Sequence, residues 1–399
     1  MHATLPRRRL ALFALFFIPG LTIASWVTRT PAIRDLLQLS TAEMGLVLFG
    51  LSAGSMIGIL ASGPLVARLG ARPLILAGTL GVILSMPTIG WGSATGAPLA
   101  VTAGLFVFGL GMGGSEIAMN VEGADIERGF GRPVLPALHG CFSLGTVVGA
   151  TAGIGFTALA VPVVWHLGAV GAIATAGLIA AIPHVAPGVG IAPRDTAKPS
   201  RGGRLRSVLD GRLIIIGVVV LAMAFAEGTA NDWLPLVMVD GHGFDPALGS
   251  AVYAVFAAAM TIGRFAGGPF IERFGRPAVL CASAVSGVVG LAIVIFVDHQ
   301  VAAGAAVILW GLGASLGLPV ALSVAGASGP DPATRVAIVA TLGYVAFLVG
   351  PPLLGFIGEH AGLRSALLAP LALMAVAILL APYVAERRSV ERRAEAPAA

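Results

Sequence analysis

A handful of ionisable side chains interrupt long apolar runs in this sequence: Arg29, Glu116, His139, Glu227, Asp232 and Arg264. An ionisable group in a segment that apolar is costly, which makes each one a candidate functional site. Glu116 can carry a proton, as coupling to a gradient requires, or hold a structural hydrogen bond. Asn120 lies one helical turn on and shares its face; it can receive a substrate hydroxyl or satisfy Glu116. Glu227 can bind a substrate or cation, or form a structural pair. Asp232, beside Trp233, suits either a cavity ligand or an interface anchor. Arg29 can neutralise Glu227 or Asp232, grip an anionic substrate through two parallel hydrogen bonds, or reach out to lipid headgroups. His139 titrates in the range of a proton relay but equally suits hydrogen-bonded packing. Arg264 reads as a gate or bundle-end partner. No nucleophile or metal set gathers at one end of the runs, the histidines lack metal-ligand spacing, and no G-x-x-x-x-G-K-[S/T] occurs. The expectation is a non-enzyme with no metal, no cofactor and no ATP chemistry.

The elements that must position these residues follow from composition. The chain has 399 residues, of which 57% are hydrophobic and 11% charged, against about 25% charged in soluble domains. The solvent of such a surface is lipid. Breaks at charges, Pro and Gly predict twelve spans, at 10–30, 42–66, 73–92, 98–121, 134–160, 163–184, 212–236, 247–270, 277–297, 301–327, 334–357 and 364–385. The long polar and basic linker is 186–211, with Arg194, Asp195, Lys198, Arg201, Arg204 and Arg206. It divides the chain into an N-terminal six-helix bundle (1–185), a basic central loop (186–211) and a C-terminal six-helix bundle with a short basic tail (212–399). Twenty of the 24 Lys and Arg residues fall at the termini and in the even-numbered loops, which places both termini in the cytoplasm. Arg7-Arg8-Arg9 begins an uncleaved first helix. The mixed charges Glu122, Asp125, Glu127, Arg128 and Arg132 read as a loop between the fourth and fifth spans. Net charge is +5; with the cations in short loops it speaks for orientation rather than nucleic acid. Cys141 and Cys281 suggest neither a disulfide nor a metal site.

One pattern occurs twice, 205 residues apart: Gly63-Pro64-Leu65-Val66-Ala67-Arg68-Leu69-Gly70 and Gly268-Pro269-Phe270-Ile271-Glu272-Arg273-Phe274-Gly275-Arg276. Residues 57–70 match 262–275 at 7 of 14 positions, the mark of a duplicated membrane half. Start signals repeat too. Ser40-Thr41-Ala42-Glu43 reads as a capping box, and its mate Asp245-Pro246 as an N-cap followed by a first-turn proline. Gly145, Gly149 and Gly153 form a spaced glycine row, and Gly350-Pro351-Pro352 suggests a kink.

The chain resembles the major facilitator superfamily, whose members carry G-x-x-x-[D/E]-R-x-G-R in loops 2–3 and 8–9. The second copy is intact at Gly268, Glu272, Arg273, Gly275 and Arg276. The first keeps Gly63, Arg68 and Gly70 but has Ala67 at the acidic position. The resemblance implies an all-α membrane protein of twelve transmembrane helices in two pseudo-symmetric six-helix bundles. It also implies a gate in which Glu272 pairs with loop arginine and caps a helix of the other bundle. The segments Ser25-Trp26-Val27-Thr28-Arg29-Thr30-Pro31, Ser115-Glu116-Ile117-Ala118-Met119-Asn120, Leu138-His139-Gly140-Cys141-Phe142 and Ala226-Glu227-Gly228-Thr229-Ala230-Asn231-Asp232-Trp233 are similar to the fucose-permease-like branch and its YbjJ-type inner membrane proteins. That branch's helix 1 carboxylate is Val27 here. The likeness implies proton coupling through Glu116 and Glu227, and substrate binding by Trp26, Arg29, Asn120, His139 and Asp232. Expected, therefore, is a multi-pass, monomeric secondary transporter of the cytoplasmic (inner) membrane, moving a small polar, sugar-like solute with protons. A proton-coupled exporter of small amphipathic compounds and a transport-dead membrane sensor are the alternatives. The exporter pattern G-x-x-x-G-P-x-x-G is broken at Ala150.

Overall fold

The computed structural model describes residues 4–131, 134–191, 210–328 and 332–384. Most of the central basic segment, the C-terminal tail and Arg132 lie outside the described residues. Among those described, twelve helices are long and apolar enough to cross a bilayer: α1 (Leu5–Val27), α2 (Thr41–Leu69), α3 (Ala71–Ala94), α4 (Pro98–Phe130), α5 (Ala137–Ala158), α6 (Val163–His184), α7 (Gly211–Gly241), α8 (Pro246–Phe274), α9 (Arg276–Phe296), α10 (Gln300–Gly326), α11 (Ile338–Ala361) and α12 (Leu363–Val384). They run alternately. The start of α1 and the end of α12 therefore share one face, the termini face; the opposite one is the far face.

Packing repeats with a shift of six helices. α1 packs on α5 and α6, α2 on α4, and α3 on α4 and α6; α7 packs on α11 and α12, α8 on α10, and α9 on α10 and α12. Both expected start signals form. Ser40 Oγ accepts from the Glu43 amide at 3.2 Å while Glu43 Oε2 accepts from the Ser40 amide at 2.9 Å. Asp245 Oδ1 accepts from the Ala247 amide at 2.9 Å. The duplicated loop pattern becomes the same turn twice. Gly70 (φ 84°) and Gly275 (φ 79°) each join two helices in a backbone region that side chains rarely adopt.

Glycine explains the tightest contacts. Gly50, Gly54 and Gly58 of α2 meet the α4 backbone, and Gly109 and Gly113 of α4 meet α2 in return. A Cβ on Gly54 would overlap the Phe106 carbonyl oxygen, and one on Gly109 that of Leu51. The row Gly145, Gly149 and Gly153 seats α5 against Phe17, Leu21 and Thr28 at α1. Each glycine costs a helix about 1 kcal/mol relative to Ala, which close packing between helices offsets.

Two expectations are corrected. The fourth span does not end near 121; α4 continues to Phe130 and stops at Gly131 (φ 63°). Glu122, Asp125, Glu127 and Arg128 are thus on a helix rather than in a loop. Glu122 is buried and pairs with Arg8 at 2.8 Å, which also pairs with Asp125 at 2.7 Å. Removing two charges from water this way requires the pairing seen. Likewise the first span does not include residue 30: α1 ends at Val27, and Arg29 precedes a short separate helix, Thr30–Leu37, with Pro31 in its first turn.

Asp210 ties the start of α7 to Arg335, in the helical turn that leads into α11. Its Oδ1 accepts from the Leu213 amide at 2.7 Å, and its Oδ2 lies 2.8 Å from Arg335 Nη1. The Arg335 guanidinium holds the Asp210 carboxyl below the usual carboxylate range. A depressed folded pKa contributes stability at neutral pH that is lost as pH falls below about 4. The carboxylate is half exposed (51%), so screening keeps the effect under about 1 kcal/mol. Asp210→Asn should lower the melting temperature slightly at neutral pH, and the gap from the parent should close as acid is added. Melting curves in detergent across that range check it.

Candidate functional site

The central site is built where α7 and α8 face α4 and α5. Glu227 of α7 and Arg264 of α8 form an ion pair, Oε1 to Nη2 at 2.9 Å, with side chains 12% and 35% exposed. Across the seam, α4 presents Glu116, which is half-buried and has no hydrogen-bond partner among the described residues. Asn120, one turn along, is bonded to His139 of α5, Oδ1 to Nε2 at 3.0 Å, so it does not satisfy Glu116. Arg264 lies within electrostatic reach of both Glu116 and His139. Phe265 rests on the bare backbone of Gly140, its Cζ 2.6 Å from where a Cβ would stand. Tyr344 of α11 completes this side of the site, also within reach of Glu116. Closer to the far face, the Tyr253 hydroxyl of α8 donates to Asn231 Oδ1 at 3.3 Å. Next to it Asp232 is buried, 6% exposed, with no ion pair among the described residues. The arrangement offers one guanidinium, three carboxyl groups (Glu116 from one half, Glu227 and Asp232 from the other) and several polar tips within an otherwise apolar bundle. It can hold a small polar solute and bind or release protons.

Glu116, Asn120, His139 and Glu227 thus lie along one seam. Arg264 joins them, which corrects its assignment to the gate. It sits ten residues before the end of α8, about 15 Å along the axis, too deep to act at the helix end. Two other expectations also change. Arg29 neutralises neither acidic residue and does not reach outward. It is 5% exposed, and its Nη1 donates to Thr157 Oγ1 at 3.3 Å and its Nη2 to the Val161 carbonyl at 2.6 Å. A cation beside the carbonyl end of α5 is favourably placed. Trp26 is 1% exposed and packs edge-on against Phe108, ring centroids 6.3 Å apart, so in this conformation it lines no site.

The gate motif lies at the termini face. Arg68, Glu272, Arg273 and Arg276 are exposed, and Gly63 and Gly268 face open space. Glu272 makes no ion pair among the described residues, and Arg273 lies over the adjacent Phe274 ring at 5.3 Å. Among the described residues, the polar ties between the halves are at the far face instead. Arg34 pairs with Asp240, which sits in a π-helical turn at the end of α7. Glu359, near the end of α11, accepts from the Thr41 amide at 2.8 Å and the Ala42 amide at 3.3 Å at the start of α2. Ser250 Oγ donates to the Thr28 carbonyl at 2.8 Å. Beneath them Gly45 packs on Pro351 and Gly355. The far face is closed. Sequence reasoning missed Arg34, Asp240 and Glu359, because a charge at a helix end reads as solvated until its cross-half partner is known. It also missed Tyr253 and Tyr344, although a signal existed: two of the chain's three tyrosines lie inside apolar spans, at least two turns from the ends.

Twelve alternating spans with a repeated packing pattern and a charged site at the seam define a membrane protein of two related six-helix halves. The profile of the Major Facilitator Superfamily matches residues 136–333. An uncharacterized MFS-type transporter of Yersinia pestis is 32% identical over 94% of both chains. The chain belongs to the major facilitator superfamily. Among solved structures, a variant of the nucleoside transporter NupG superposes with a TM-score of 0.79 at 12% identity, covering 95% of this chain and 100% of that one. The fucose:proton symporter FucP of E. coli superposes with a TM-score of 0.66 at 17% identity, covering 95% and 98%.

Proposed function

We propose that this chain is a proton-coupled symporter that moves a small polar solute by rocking two six-helix bundles, 1–185 and 212–399, about their shared seam. The observation that carries the reading is the meeting of Glu116 and Glu227, from opposite halves, around Arg264. Acidic groups inside a spanning bundle are retained at a free-energy cost and mark proton or solute pathways. Tyr253, Asn231, Asn120 and His139 supply the hydroxyl, amide and ring donors and acceptors that a sugar-like solute requires. NupG and FucP, whose fold it shares, are a nucleoside transporter and a fucose:proton symporter; both handle polar solutes, which agrees with this reading. Arg7, Arg8, Arg9, Arg68, Arg72, Arg273 and Arg276 crowd the termini face, which supports placing that face in the cytoplasm. The working unit is a monomer.

The test uses the full chain in proteoliposomes containing an internal pH dye, with sugars, polyols and nucleosides added outside. At least one should drive acidification. Glu116→Gln should reduce that proton movement at least about tenfold while solute binding persists. Acidification unchanged in Glu116→Gln overturns the role given to Glu116.

A further inference from the structure

We propose that the far-face end of the N-terminal half binds a small monovalent anion, of the size of chloride, between Arg29 and His166. The site is separate from Glu116, Glu227 and Arg264 and is independent of the symport reading above.

Arg29 lies just past the end of α1, where Thr28 rests against the bare backbone of Gly153 on α5. Two of its three guanidinium nitrogens are engaged, Nη1 by Thr157 Oγ1 and Nη2 by the Val161 carbonyl. Its Nε–H is buried and has no partner among the described residues. Hydrogen bonds to neutral groups also leave the charge itself uncompensated, and no acidic side chain among the described residues lies within electrostatic reach of it. The second group is His166, in the first turn of α6. It is 0% exposed and within electrostatic reach of Arg29, and neither ring nitrogen has a partner among the described residues. Stacking on Phe156 fixes the ring, with centroids 4.4 Å apart and planes at 23°. Phe156 and Thr157 are neighbours in the last turn of α5, so one turn of helix orients both the imidazole and the guanidinium.

Charge decides what these groups select. A buried guanidinium without a counter-ion is costly, and a monovalent anion brings the sum to zero. A cation would meet the arginine's repulsion, and a neutral solute would leave its charge uncompensated. The start of α6 adds to the preference. Its first amides have no carbonyl one turn back within the helix, and that end of the helix dipole is positive. A neutral imidazole offers one N–H and one lone pair. The N–H donates to the anion together with Arg29 Nε, and the other ring nitrogen accepts from a water held beside it. Leu159, Ala160 and Pro162, in the turn between α5 and α6, are exposed, so an ion reaches the site from the far face without crossing the apolar core.

Thermal unfolding of the purified full chain in detergent tests this, in buffers of constant ionic strength where chloride replaces gluconate. The parent's melting temperature should rise with chloride, and above the dissociation constant it should follow the logarithm of the concentration, as for a ligand bound only by the folded state. Bromide should act in the same way. His166→Leu keeps the Arg29 bonds to Thr157 and Val161, and should weaken the apparent affinity about tenfold or more. Arg29→Gln should abolish the rise. Arg34→Gln, at a far-face arginine that pairs with Asp240, should leave the chloride dependence as it is in the parent. Where a variant does not fold, anomalous diffraction from parent crystals grown in bromide locates the ion, and a peak should stand between Arg29 Nε and the His166 ring. A melting temperature indifferent to which anion is present, a rise that survives both His166→Leu and Arg29→Gln, or bromide found only elsewhere overturns the site.

Discussion

Replacing Glu359 by Gln, together with Asp240 by Asn, should open the far face. The Glu359 carboxylate accepts from the amides of Thr41 and Ala42 at the first turn of α2. That is a helix cap delivered from the opposite half, in the position where negative charge also meets the positive end of the helix dipole. Such a cap is worth about 1 kcal/mol. The Arg34–Asp240 pair is partly exposed, with side chains 16% and 30% accessible, and adds at most about 1 kcal/mol. Together they bias the equilibrium by about 2 kcal/mol, roughly thirtyfold in population. Neither substitution changes the volume of the interface, so folding should be unaffected. Spin labels at Leu36 and Val301, exposed positions on opposite halves of the far face, would report the change. The expected result is a new long-distance population in the double variant, with Glu359→Gln alone intermediate. A distance distribution identical to the parent's would show that apolar packing beneath the ties closes the face.

The second large effect concerns folding. Gly54→Val should destabilise the protein by about 3 kcal/mol or more. A Cβ there overlaps the Phe106 carbonyl oxygen and crowds the Leu110 amide, at 2.9 Å. Both are backbone atoms of α4, which cannot turn aside as a side chain can. Relief requires α2 and α4 to part, and then the contacts of Gly50, Gly58, Gly109 and Gly113 are lost together. Gly155→Val on α5 is the control, because nothing lies within 4 Å of its would-be Cβ. It should change stability by about 0.5 kcal/mol or less beyond helix propensity. Thermal unfolding followed by tryptophan fluorescence in detergent distinguishes the two. Equal losses would mean that glycine content, rather than helix proximity, sets stability.

Most of the fold was legible in the sequence, and the reason is solvation. Lipid forces apolar length on each span, loop cations mark one face, and a duplicated motif reappears as the turns at Gly70 and Gly275. Helix ends were less legible. α4 outlasts its apolar stretch because Arg8 compensates Glu122, a partner 114 residues away that no local pattern announces. The site was half legible. Unusual residues in apolar runs drew attention to Glu116, Glu227 and Arg264, but their pairing depends on how α4, α7 and α8 face one another. Arg29 shows the limit of such reasoning. Its rarity marks it as important, yet it serves the end of α5, since a buried cation is satisfied by carbonyls as well as by carboxylates.

Among the described residues the polar ties between the halves lie at one face, which has a consequence for how ligands are measured. A solute arriving at the termini face meets a site that is already accessible, so its affinity there is intrinsic. From the far side it meets the same residues only in the fraction of molecules that have opened, and its apparent dissociation constant rises by the reciprocal of that fraction. The protein should therefore look like a tight binder from one side of a vesicle and a weak one from the other, with a single set of contacts. Molecules that plug the vestibule should act asymmetrically for the same reason, and the side from which they are added becomes part of their potency.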